Sequence, residues 1–340
     1  MNARVHLHIG PRKTGTTFLQ RALVRNQRRL AGLGVWYPTG AVTGHRGLNH
    51  ERALLDASEG KVNVHTRELK RSLRRGSGEI VLSGEAVASC TPDAITRLLA
   101  YLKVENVCVI ITARAWNRVL PSLWQQHVRN GRVSSYSSFL REATARDRLE
   151  DGGDLVRPYA YTALVRRWLP YAERISLVTV PREISSSPDI LWRRFLAALG
   201  VDPLRSDWDV SDIARHDALS ACESFLLREI NAQLEAAGRS VEDRRDWAVK
   251  LTEQVFAMRS DRGAALQLPP DVWSMVVAQA EDVVGGLTAL ANRDQVSVVG
   301  DLDDLRTPEK PPAIQSPARL SKEVVDLAGL CIAHLHANRR

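Results

Sequence analysis

The chain has 340 residues, 44% of them hydrophobic and 25% charged, which is ample for a large core and too apolar for a disordered chain. Its formal charge of +8 suits anionic ligands, but the arginines are scattered (Arg25, Arg28 and Arg29, then Arg71, Arg74 and Arg75, then Arg166 and Arg167) rather than gathered with aromatics into a nucleic-acid-binding stripe. No apolar run reaches the roughly 18 residues of a membrane span, and Cys90, Cys108, Cys222 and Cys331 lack the spacing of a disulfide framework or a zinc site.

The first strand is predicted at Val5-His6-Leu7-His8-Ile9, where apolar residues alternate. It begins so close to Met1 that no secretion leader is expected, and a reducing, cytoplasmic setting fits the unpaired cysteines. A helix is predicted from Phe18 onward. Between strand and helix stands Gly10-Pro11-Arg12-Lys13-Thr14-Gly15-Thr16-Thr17. A glycine-bearing turn that feeds a helix N-terminus is an anion site, because unpaired N–H groups and the helix dipole both favour negative charge. The nucleoside-triphosphatase loop runs G-x-x-x-x-G-K-[ST]. Gly10 and Gly15 keep that glycine spacing, but Thr16 stands where the lysine belongs, and Lys13 precedes the second glycine instead.

Gly34-Val35-Trp36-Tyr37-Pro38 reads as a short strand closed by proline. A loop with Gly40, Gly44 and Gly47 follows and carries His45 and His50. Thr66 to Arg75 is predicted helical and basic. Glu79-Ile80-Val81-Leu82-Ser83-Gly84-Glu85 is a strand ending in a small-residue turn and an acid. Thr91-Pro92-Asp93 opens a helix with proline in its first turn.

Asn106 to Thr112 is a continuous β-branched apolar run, the pattern of a strand buried on both faces of a parallel sheet. It ends in Ala113-Arg114, where open α/β sheets bind ligands. Asn117 is the expected cap of a helix holding Arg118 and Ser122, which share a face. A guanidinium fork with a hydroxyl suits a phosphate dianion. Gly131 to Ser138 is predicted as loop, Tyr159 to Tyr171 as helix, Ile175 to Val180 as strand, and Ser187-Pro188-Asp189 as the cap of a helix to Leu199. Beyond Asp207 the spacing is helical (Ala218 to Ala236, Val241 to Met258, Pro270 to Asn292), with a last strand near Val296 to Gly300 and a terminal helix at Ser321 to Asn338.

The Lys13-Thr14-Gly15-Thr16-Thr17 order resembles the 5′-phosphosulfate loop of the sulfotransferases that use 3′-phosphoadenosine-5′-phosphosulfate, PAPS. The resemblance implies an α/β fold, a parallel sheet flanked by helices, with PAPS as donor and no metal. It puts Lys13 on the leaving phosphate and Arg12, Thr14, Gly15, Thr16 and Thr17 around it, with Phe18 near the adenine. Arg114 and Ser122, eight residues apart, match the arginine and serine that hold the 3′-phosphate, although Ala115-Trp116 replaces the usual Asn/Asp-Pro. Tyr159, Trp168, Val178 to Val180 and Leu199-Gly200-Val201 extend the likeness to residues 4–203. The family's arginine-lysine-glycine loop has no counterpart, so either this branch omits it or a basic segment near Arg306 or Lys310 substitutes.

Attack by an acceptor calls for a general base. The resemblance offers Glu85, with His45 and His50 as rivals, and Glu85 equally fits an acid in a helix's first turn. The expected organisation is a PAPS-binding core at 1–203 and a mainly helical extension at 204–340, which would close over the acceptor or form a homodimer face. The acceptor would be a small molecule, glycan or lipid bearing a hydroxyl or amine. A P-loop kinase is the alternative supported by glycine spacing, but its magnesium-binding acid at a strand end is missing where Arg114 stands. A non-catalytic module binding PAP (the desulfated donor) or polyanions is the other.

Overall fold

The computed structural model describes residues 4–39, 50–75, 78–104, 107–145, 156–182, 189–204, 208–210, 218–261, 263–312 and 322–331. Its strands are β1 (Arg4–His8), β2 (Val35–Trp36), β3 (Glu79–Ser83), β4 (Val107–Ala113), β5 (Ala172–Thr179) and β6 (Val296–Val299). They form one six-stranded sheet in the order β2-β3-β1-β4-β5-β6, and every pairing is parallel. The first helices are α1 (Thr16–Arg25), α2 (Gln27–Ala31), α3 (His50–Ser58), α4 (Val64–Arg75), α5 (Pro92–Leu102), α6 (Trp116–Arg129) and α7 (Tyr136–Ala143). The chain is an α/β protein with a parallel sheet flanked by helices. Among the described residues no helix is long and apolar enough to cross a membrane.

The chain divides into two compact units: residues 1–115, 146–215 and 278–306, and residues 116–145, 216–277 and 307–340. The first holds the whole sheet, its last strand coming from beyond residue 204. Strand β4 is buried at every position, as its unbroken apolar run requires. Strand β1 is buried more completely than its alternation suggests, because His6 and His8 are both shielded from solvent. Each has a polar partner, His6 at Glu79 (2.5 Å) and His8 at Ser83 (2.9 Å), which is what burial of an imidazole demands. One core of this unit joins Leu19 and Leu23 of α1 to Val81, Ile110 and Val178 of the sheet and to Trp192 and Phe195 of the helix Ile190–Ala198. Fully burying such a ring stabilises the fold by roughly 1.5–3 kcal/mol.

Tertiary bonds also fasten the strand ends. Asp304 accepts from the Thr179 hydroxyl (2.9 Å), the Arg182 N–H (2.9 Å) and Arg194 (2.5 Å). These bonds hold the turn after β6 against the end of β5. The second unit is helical. Trp124 packs against Tyr136 and Phe225, with ring centroids 4.8 and 5.3 Å away. Ser220 and Ser240 open the helices Ala221–Ala236 and Val241–Leu251, each with a capping box.

Several boundaries differ from the sequence reading. Tyr136 to Ser138 are helical rather than loop: Ser135 accepts from the Ser138 N–H at 3.1 Å, and Tyr136, Phe139, Leu140 and Ala143 make a buried stripe. Helix α6 starts at Trp116, so Asn117 lies inside its first turn rather than capping it. His50, read above as part of the glycine-rich loop, is instead the first residue of the helix His50–Ser58. The helix from Val241 ends as α-helix at Leu251 and continues as one π-helical turn, Thr252–Phe256. His45, Ser187 and Pro188 lie outside the described residues.

Candidate functional site

Strands β3, β1 and β4 are adjacent, and β1 is where the order of connections reverses. Ligands of open α/β sheets bind beyond the carboxyl ends of strands at such a switch point. There the chain brings together the loop after β1, the turn after β3 carrying Glu85, and Arg114 after β4.

The loop is held from below. A Cβ at Gly10 would lie 1.8 Å from the Thr112 hydroxyl, so only glycine lets β1 leave the sheet this close to β4. Three successive carbonyls of the loop are each taken by a different group. The Thr14 hydroxyl donates to Pro11 O (2.6 Å), the Tyr159 hydroxyl to Arg12 O (3.0 Å) and the Arg114 guanidinium to Lys13 O (2.8 Å). Because trans peptide units carry C=O and N–H on opposite sides, these bonds turn the N–H groups of Arg12, Lys13 and Thr14 the other way. Lys13 and Gly15 both have left-handed backbones, φ 68° and 88°, the kind of turn that makes a concavity of N–H groups. Helix α1 then opens at Gly15 with no side-chain cap.

Below the loop lies a polar network that no motif pointed to. His8 is fully buried, with Nδ1 2.9 Å from the Ser83 hydroxyl and Nε2 3.3 Å from the Thr112 hydroxyl. Thr112 in turn lies 2.6 Å from the Thr14 hydroxyl. Burial pushes the His8 pKa down to about 3, so the ring is neutral. The only sign of this in sequence was a threonine at the end of an otherwise apolar strand.

Of the expected phosphate contacts, Thr14 is buried and its hydroxyl is used inside the loop, on Pro11 O and Thr112. Thr17 is exposed and Phe18 packs partly buried against the core around α1. The Thr16 hydroxyl donates to Glu85 Oε1, and Arg12 Nε lies 3.4 Å from Glu85 Oε2. Glu85 opens a short 3₁₀ turn, Glu85–Ser89. Burial raises its pKa above the ordinary carboxylate value and the Glu51 charge adds to this, while the Thr16 hydrogen bond and the Arg12 and Lys13 charges oppose it. The result is a carboxyl at the loop with more basicity than a surface glutamate.

His50 is placed differently from a base. Its Nδ1 accepts from the Ser83 N–H (3.1 Å), so Nε2 carries the proton and donates to Pro38 O (2.8 Å). Both nitrogens are engaged by main chain, and burial lowers the pKa to about 4. His50 fastens the end of β3 to the segment after β2.

The Arg114 main chain is fixed by one buried hydroxyl: Tyr161 accepts from its N–H and donates to its carbonyl, both at 3.0 Å. Arg118 and Ser122 lie half-buried in α6 of the second unit. Arg306, considered above as a substitute for the missing basic loop, is committed to Asp303 (2.7 Å) and Glu281.

No family profile matches the chain, and no curated protein does. Among solved structures, a sulfotransferase from Alicyclobacillus acidocaldarius is similar over 71% of this chain and 98% of its own, at 19% identity and a TM-score of 0.42. A tRNA isopentenylpyrophosphate transferase from Bacillus halodurans is aligned over 99% of both chains, at 11% identity and a TM-score of 0.21. Likeness this loose carries no argument about what the chain does.

Proposed function

We propose that the chain is a sulfotransferase, moving a sulfuryl group from PAPS to a hydroxyl or amine of a small molecule, glycan or lipid. The observation that carries this reading is the convergence of the Lys13 loop, Arg114 and Glu85 beyond three adjacent strands, with Arg114 bonded to the loop itself. The residues suit a doubly anionic nucleotide: a loop whose carbonyls are tied back, an uncapped helix start, one lysine and one arginine.

PAPS would supply the electrophilic sulfur and a phosphate leaving group. In this reading Lys13 and the loop N–H groups hold the 5′-phosphate and stabilise the charge that develops on it. Arg114 holds the 3′-phosphate. Glu85 accepts the acceptor's proton, a task that its raised pKa favours. His50 serves the fold instead.

The test is incubation with radiolabelled PAPS and a panel of hydroxyl and amine acceptors, beside the Lys13→Ala variant. Label transfer that disappears in the variant is expected. Magnesium-dependent ATP turnover, with no thermal protection by PAP, would instead identify a kinase.

A further inference from the structure

Glu51 belongs to no motif, yet it meets the main chain on one side of Glu85 and the arginine on the other. It sits in the first turn of α3, and its carboxylate oxygens accept from the Ala86 N–H at 3.0 and 3.1 Å. Ala86 follows Glu85 in the 3₁₀ turn, whose first N–H groups need acceptors from outside, and Gly84 before it offers no side chain to cap with. A Cβ at Gly84 would meet Leu54 at 2.8 Å and Glu51 Oε2 at 3.6 Å, so α3 packs directly on the main chain that delivers Glu85. Arg12 bridges the two acids, Nη2 lying 3.7 Å from Glu51 Oε1 and Nε 3.4 Å from Glu85 Oε2.

We infer that Glu51 is a positioning residue for Glu85, tethering the turn that carries it and sharing the Arg12 cation so that Glu85 is not neutralised alone. The inference rests on the reading of Glu85 as proton acceptor. The charged and titratable groups that act on Glu85 come from three other elements. Arg12 and Lys13 of the loop favour the carboxylate, whereas Glu51 of α3 opposes it. Tyr159, in the turn Arg157–Tyr159, is kept protonated by burial and adds no charge. Glu51 is therefore the one like charge in the set. Without it Arg12 pairs with Glu85 alone, and Glu85 becomes a weaker base.

Glu51→Gln separates charge from shape, because the amide oxygen still accepts from the Ala86 N–H. In the full chain with isotope-labelled glutamate carboxyls, the Glu85 titration midpoint is expected to move down in this variant, and the acid limb of the pH–rate profile with it. Glu51→Ala, which loses the tether as well, is expected to lower kcat roughly tenfold to a hundredfold with PAP affinity unchanged. A Glu85 midpoint that stays in place in Glu51→Gln overturns the inference, even if label transfer proceeds. A midpoint that moves in a chain that sulfates no acceptor upholds the coupling and rejects sulfuryl transfer.

Discussion

The guanidinium of Arg114, at the end of β4, donates to the main-chain oxygen of Lys13 at 2.8 Å. Lys13 has a left-handed backbone, φ 68°, which costs a residue with a Cβ roughly 1–2 kcal/mol. A charge-assisted hydrogen bond offsets a cost of that size. Arg114 thus holds the loop in shape, and in the proposed reading it also binds the donor's 3′-phosphate at the same edge of the sheet.

Arg114→Lys tests this double role. An ammonium keeps the charge but lacks the fork that spans two acceptors. Loss of one charged hydrogen bond, about 1.5–3 kcal/mol, predicts PAP affinity falling roughly tenfold to a hundredfold by calorimetry. An unchanged affinity would remove Arg114 from the site.

Gly15→Ala should damage the loop for two independent reasons. The backbone there is left-handed, φ 88°, and the added methyl carbon would lie 2.4 Å from Leu191 Cδ2. Removing the obstacle with Leu191→Ala relieves the collision but not the backbone strain. The double variant should therefore recover only part of the lost urea midpoint and PAP binding. Full recovery would show that conformation at Gly15 is immaterial.

How much of this was legible depended on whether the chemistry lay in one stretch of chain. Strands β1, β3 and β4 and the turn residues that follow them could be read, because Gly10, Glu85 and Arg114 each come just after an apolar run. Glu51 could not be found, because it works through the main chain of Ala86, 35 residues away. His8 and Thr112 looked like ordinary strand positions; only the β1–β4 pairing puts them beside one another. His50 misled for the opposite reason. The resemblance offered it as a rival base, whereas both its nitrogens are spent on the main chain of Ser83 and Pro38.

Glu85→Gln should trade activity for stability. Burial raises the folded-state pKa of Glu85 above its ordinary 4.5. The folded chain then binds this proton more tightly than the unfolded one, so the group favours folding at low pH and opposes it as pH rises through 4.5 toward the raised value. The amide removes that opposition and still accepts from Thr16. Urea midpoints for the variant should exceed wild type at neutral pH and converge with it in acid, while label transfer is lost. A variant less stable at neutral pH would mean that the Arg12 and Thr16 contacts outweigh the cost of burial.

His50 and His8 carry the opposite sign. Their folded pKa values are pushed below 6.5, to about 4 and about 3. The stability they contribute is present above 6.5 and is lost as pH falls through that value toward the depressed ones, on the order of a few kcal/mol for each. Glutamine at position 50 offers a donor for Pro38 O and an acceptor for the Ser83 N–H without a titrating ring. His50→Gln should therefore fold nearly as stably as wild type at neutral pH, and its acid unfolding by circular dichroism should begin at a lower pH. An identical acid midpoint would show that this imidazole does not limit acid stability. Loss of label transfer in a folded His50→Gln chain would return the role of base to His50, because neither main-chain bond would have been removed.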